Sequence, residues 1–213
     1  MDLDVSKNLG GVGAILLVVG ALGVLGTGYA TILSLVGIIL VLIALKGLAD
    51  YYNEGGIFNN ALYGFLTTII GGVATAVILV ISIMFAIATL AIDWTNPTEW
   101  TTLIQDFTDL SAFWTLVGSL IAALIVAFVF AIITAIFYRK SFNLLAAKSG
   151  VNTFATAGLL LLIGAVLTII LVGFIIIWIA FILLAVGFFS IKPTPTQPSS
   201  PPAPAAASPA PTS

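Results

Sequence analysis

Two apolar runs in this chain are each too long to cross a membrane once. Leu9 to Leu48 holds 40 residues, which as one helix would be about 60 Å long, twice the thickness of the hydrocarbon layer. Thr153 to Ile191 holds 39 residues and would reach about 58 Å. Each run must therefore turn back on itself. The first breaks at Gly26-Thr27-Gly28-Tyr29, giving helices over Leu9–Leu25 and Ala30–Leu48. In the second, Gly173 is the expected turn, dividing Thr153–Leu171 from Phe174–Ile191. Two longer spans lie between these hairpins, Ala61–Ile92 and Ala112–Tyr138. The expected fold is all-α, a polytopic membrane helix bundle with six transmembrane helices over residues 1–192. A disordered proline-rich tail is expected over residues 193–213.

Charge supports six spans over four. With six, Lys7, Lys46, Arg139, Lys140, Lys148 and Lys192 all fall on one side, which the positive-inside rule makes cytoplasmic. With four, Lys7 and Lys192 would lie opposite the rest. A secretory signal begins with positive charge, whereas Asp2 and Asp4 here outnumber Lys7. The first run is therefore expected to be retained, although Gly28-Tyr29-Ala30 has the small residues of a cleavage site. The expected location is the cell membrane, multi-pass, with both termini cytoplasmic.

Composition narrows the chemistry further. Apolar residues make up 61% of the chain and charged residues 7%, against about 45–50% and 25% in globular proteins. A net charge of −2 supplies no basic surface for nucleic acid. Without Cys or His there is no disulfide, thiolate nucleophile, usual zinc site or commonest general base. No nucleotide loop, metalloprotease helix or serine elbow appears. The chain is expected not to be an enzyme and to carry no cofactor, metal or catalytic residue. After Lys192 come 21 residues with eight prolines and no charge, a composition that cannot bury a core and favours extended conformations.

Leu45 to Gly64, LKGLADYYNEGGIFNNALYG, is a polar and aromatic island between two spans. Lys46 is expected near the end of one helix, Gly55 and Gly56 to stop it, and Asn59 or Asn60 to cap the next from Ala61. Asp50, Tyr51, Tyr52, Asn53, Glu54, Asn59 and Asn60 form a candidate cytoplasmic interaction loop, and the same residues suit an interfacial turn. On the following span Gly64, Thr68, Gly72 and Ala76 recur every four residues. On the next, Thr115, Ser119, Ala123, Ala127, Ala131 and Ala135 do the same. Such small-residue stripes let helix backbones approach closely in lipid, and they place these two spans at the centre of the bundle.

Between Asp93 and Ser111, Asn96-Pro97-Thr98-Glu99 offers a helix start. Trp100, Leu103, Ile104 and Phe107 follow on one face, predicting an amphipathic helix on the outer surface. On the inner side, Arg139 to Asn152 is basic, with Gly150 expected to end a helix extension and Asn152 or Thr153 to cap the next helix.

Three stretches carry a resemblance: ALKGLADYYNEGGIFNNALYG, FYRKSFNLLAAKSGVNTFATAGLLLLIGAVL and ILLAVGFFSI. In them the chain resembles an uncharacterised, mainly archaeal family of membrane proteins, catalogued as domain of unknown function 996, from Leu9 to about Ile191. The polar loops take part in the match, not only the apolar runs. Some relatives follow the proline-rich segment with a cysteine-based zinc ribbon, a module this cysteine-free chain lacks. The resemblance implies an archaeal origin and a plasma-membrane location, and it supplies no reaction, substrate or site residue.

The expected role is that of a structural or partner-binding membrane component, in contact with the lipid bilayer and with a membrane-protein partner or a second copy of itself. The alternative is a passive channel or small-solute transporter. Against coupled transport, no Asp, Glu, Lys or Arg lies in the central part of any span.

Overall fold

A computed structural model describes residues 2–23, 29–90 and 110–193. The surface helix expected near Trp100 to Phe107 and the tail from residue 194 lie outside them. The described residues form six helices and no strand. These are α1 (Leu3–Gly23), α2 (Tyr29–Tyr51), α3 (Gly55–Leu90), α4 (Leu110–Ser149), α5 (Thr153–Leu167, continued by a 3-10 turn over Thr168–Ile170) and α6 (Val172–Phe189). All six are long and apolar enough to cross a bilayer, where each helix satisfies its own backbone polar groups. The chain is a multi-pass membrane protein.

Each helix packs against its neighbours in sequence, and α6 returns to α1, so the six form a closed ring. The α1–α2 contact is made through backbone. A methyl group on Gly13 would sit 2.7 Å from the Gly37 carbonyl oxygen, and one on Gly37 would sit 2.8 Å from that of Gly13. Where α6 meets α1, the Trp178 indole Nε1 donates to the Val18 carbonyl at 3.2 Å. The charged end of the ring is packed shut. Leu45, Leu48, Ile57, Phe142, Phe154 and Phe188 are fully buried there, with Phe154 and Phe188 edge to face at 5.2 Å.

The middle pair is much longer than the rest. The 36 residues of α3 and 40 of α4 correspond to about 54 and 60 Å of helix. The 23 residues of α2 reach about 35 Å. Since α2 and α3 start from a common turn, α3 outreaches α2 by about 20 Å at the opposite end.

Several helix ends differ from expectation, the first being the start of α1 at Leu3 rather than Leu9. Gly55 and Gly56 do not end α2; they begin α3, which starts six residues before Ala61. Asn53 does the ending instead, in the left-handed region at φ 50°. Its N–H donates to the Asp50 carbonyl (3.3 Å) and the Glu54 N–H to that of Ala49 (2.9 Å), the paired bonds of a Schellman motif. The Asn60 amide accordingly caps nothing and donates to the Gly56 carbonyl within α3 at 2.7 Å.

The break in the last apolar run falls at Leu171, φ 64°, not at Gly173. Gly173 is already in the first turn of α6, and a side chain there would collide with the Gly164 carbonyl oxygen and the Thr168 nitrogen. Its hydrogen-only side chain allows close packing of the two helices; it does not make the turn. Finally, Gly150 ends α4 at φ 72°, but the Asn152 side chain makes no capping bond to α5.

Candidate functional site

At the charged end the loop residues are largely engaged with one another. Lys46 pairs with Asp50 at 2.8 Å and lies 5.5 Å from the centre of the Phe58 ring. Glu54 pairs with Lys148 at 3.3 Å, tying the α2–α3 turn to the end of α4. Tyr51 stands edge-on to Tyr52 at 4.9 Å. Burial, and secondarily the neighbouring Tyr51, hold the Tyr52 hydroxyl above the usual tyrosine range. Asp50, Tyr51, Asn53 and Asn59 remain exposed. Among the described residues no group of three or more carboxylates is placed to hold a metal.

The two small-residue stripes have divided duties. Gly64 is buried beneath the Tyr138 ring. Thr68 Oγ1 donates to the Gly64 carbonyl at 2.9 Å and lies 3.4 Å from Thr134 Oγ1. A methyl on Gly72 would meet nothing within 4 Å, whereas one on Gly71 would come within 2.5 Å of the Phe130 Cβ. The tightest α3–α4 contact is thus one residue off the stripe. Ala76 is exposed, Ala123 buried, and Ser119 half-buried further along α4.

Gly72, Ala76, Ala127 and Ala131 face a central cavity of about 640 Å³, within the about 300–1,000 Å³ usual for ligand pockets. Every helix contributes to its wall: Leu17 from α1, Val41 from α2, Thr68 from α3, Thr134 from α4, Leu161 from α5 and Phe181 from α6. The lining contains no charged residue. Its threonines are muted, since Thr75 also donates to its own helix, at the Gly71 carbonyl (2.8 Å). A hydroxyl that bonds back in this way has no proton left to offer the cavity, and only its oxygen can still accept.

Tyr138 is the exception. It lines the cavity, its ring stacks on Phe142 at 6.0 Å, and its hydroxyl is buried with no hydrogen-bond partner. From the sequence Tyr138 is expected only to end a span. The signal was present, because Tyr138 follows Ala131 and Thr134 at helical spacings of seven and four and so continues their face. Ser141 was missed as well. It is fully buried and donates to the Ile57 carbonyl at 2.6 Å, linking α4 to α3.

The family described as protein of unknown function (DUF996) matches residues 33–182, from within α2 to within α6. The chain belongs to this family. An uncharacterised protein from Methanocaldococcus jannaschii is 30% identical over 193 residues, covering 90% of this chain and 94% of the relative. No solved structure matches. The family span contains the whole of α3, α4 and α5, hence the small-residue walls of the cavity and Tyr138.

Proposed function

We propose that this DUF996 protein is a non-enzymatic binding component of the cell membrane, with both termini cytoplasmic, that engages the transmembrane helices of a partner protein. The observation that carries this reading is the excess apolar length of α3 and α4. On α3 the exposed residues include Ile69, Ile70, Val73, Val77, Val80, Ile81, Ile83 and Met84, and on α4 Leu120, Ile121, Leu124 and Ile125. This surface continues past the end of α2, along the apolar stretches Ala61–Leu90 and Leu110–Tyr138, which at about 45 and 43 Å of helix exceed a hydrocarbon core of about 30 Å by roughly half. Such a mismatch favours tilt or helix association. Among the described residues, the packed charged end and the uncharged cavity wall support binding over passage of a solute.

A photo-crosslinking residue at Ile81, used in intact membranes, should give a protein adduct of discrete mass that the same residue at Ile43 of α2 does not. An adduct at twice the chain's mass would make the partner a second copy. A passive channel or small-solute transporter is the second reading, favoured by the cavity at the centre of the ring. Purified protein in liposomes should show no ion or small-solute flux. Saturable flux abolished by enlarging Thr68 or Ser119 would overturn the binding reading.

A further inference from the structure

We propose that the α5–α6 hairpin draws the lipid–water boundary inward at the end of the ring opposite the charges, so that the bilayer is thinner beside this hairpin than beside α3 and α4. What covers the hairpin's tip is the headgroup layer of that leaflet. The inference rests on lengths and polar groups within the ring and holds with or without a partner on α3 and α4.

One close contact supplies a common level from which the helices can be compared. A methyl on Gly158 would come within 3.1 Å of the Arg139 Cα and 3.4 Å of the Phe142 Cβ, so α5 and α4 touch there at one depth. From that level α5 and its 3-10 turn reach Leu171 after about 20 Å, whereas α4 runs on to Leu110 for about 43 Å. The hairpin ends about 23 Å short of α4. Because α2 falls short of α3 by a similar length, the low side of the ring includes more than this hairpin.

Both levels are apolar at the surface. The turn exposes Ile169, Ile170, Leu171 and Val172, and beyond its level α4 still exposes Trp114, Leu120 and Ile121. A flat boundary at the end of α4 would leave the turn in hydrocarbon, and one at the turn would leave the end of α4 in water. Backbone chemistry decides against the first. The amides that open a helix have no partner inside it. Leu171, which precedes α6, makes no capping bond, and Thr168, the one hydroxyl in the turn, donates to the Gly164 carbonyl at 2.8 Å. Leu171 is also left-handed and 72% exposed. Irregular backbone facing lipid is not held within hydrocarbon, so water and headgroups come down to Leu171. A short span drawing the bilayer in costs little per ångström. On the other side of the ring the apolar surface of α3 and α4 holds the boundary higher.

The chain has no cysteine, so single cysteines can test the two levels. Leu171→Cys and Ile121→Cys each replace an exposed side chain, and Ile121 lies about 27 Å from the Arg139 level, farther out than Leu171. The full chain is reconstituted in dioleoyl phosphatidylcholine vesicles at fewer than one copy per vesicle, so that no second copy covers either position. Freezing and thawing the vesicles with a charged maleimide presents the reagent to both faces. Leu171→Cys should react at least tenfold faster than Ile121→Cys, the reverse of the order a flat boundary gives. A nitroxide attached to the same variants should be relaxed mainly by a water-soluble nickel chelate in Leu171→Cys and mainly by oxygen in Ile121→Cys, which separates contact with lipid from cover by protein. Equal rates or faster reaction of Ile121→Cys would overturn the proposal, since the boundary would then be flat. So would a nitroxide in Leu171→Cys that only oxygen reaches, or one in Ile121→Cys shielded from both relaxants.

Discussion

Gly13 and Gly72 are both helical glycines, and the structure gives opposite expectations for replacing them with alanine. In a helix interior, Gly→Ala is worth roughly 0.5–1 kcal/mol of stability from backbone entropy alone. At Gly72 the new methyl meets nothing within 4 Å, so that gain should appear undiminished. At Gly13 the methyl would lie 2.7 Å from the Gly37 oxygen, 2.9 Å from the Leu40 Cβ and 2.9 Å from the Val41 nitrogen. Two of these three are backbone atoms, so no rotamer change relieves the contact and α1 must move away from α2. Overpacking of this kind costs about 1–3 kcal/mol. After the intrinsic gain is subtracted, Gly13→Ala should lose up to about 2.5 kcal/mol, and should in any case fall below Gly72→Ala. Denaturant titration in mixed micelles, followed by tryptophan fluorescence, would measure both. Equal stability of the two variants would refute the reading of Gly13 and Gly37 as a backbone contact.

Ser141→Ala removes a buried hydrogen bond to the Ile57 carbonyl and should cost about 1 kcal/mol in the same titration; an unchanged midpoint would deny that bond any share in holding α4 to α3. Asn53→Val places a β-branched residue at φ 50° and should cost about 1–2 kcal/mol, while Asn53→Gly should be tolerated; indifference to both would remove the left-handed cap. The chain has no cysteine, so single cysteines at Asn143 and Thr102 should react with an impermeant maleimide from opposite sides of a sealed membrane. Reaction from the same side would sink the six-span topology.

The number of helices was legible because bilayer thickness converts the length of an apolar run directly into a count of crossings. Where polar residues punctuate the chain, as Lys148, Ser149 and Asn152 do around Gly150, the boundary could be read too. Inside Thr153 to Ile191 nothing polar marks the turn, and a glycine can serve either conformation or close approach; Gly173 serves the second. The small-residue stripes show the same ambiguity. Gly64 accommodates a neighbour's ring and Gly72 borders empty space, yet both fit one four-residue spacing. Spacing reports which residues share a face, not whether that face meets a helix or a void. Ser141 sits in a basic stretch that reads as water-facing, and only the position of α3 shows it to be covered.

The closed ring also bears on biosynthesis. The surface of α1 around Gly10 and Val18 is completed by Phe188 and Trp178 of α6, and Val18 lies 160 residues from Trp178. At about 5–20 residues per second of translation, the first helix waits roughly 8–32 s for the last. Until then α1 and α2 can settle only against each other and whatever lipid or insertion machinery shields the open side. A chain truncated before α6 would keep five of the described helices and yet leave both ends of the ring open, so quality control that senses an unclosed α1 face would in effect be reading whether α6 had been inserted.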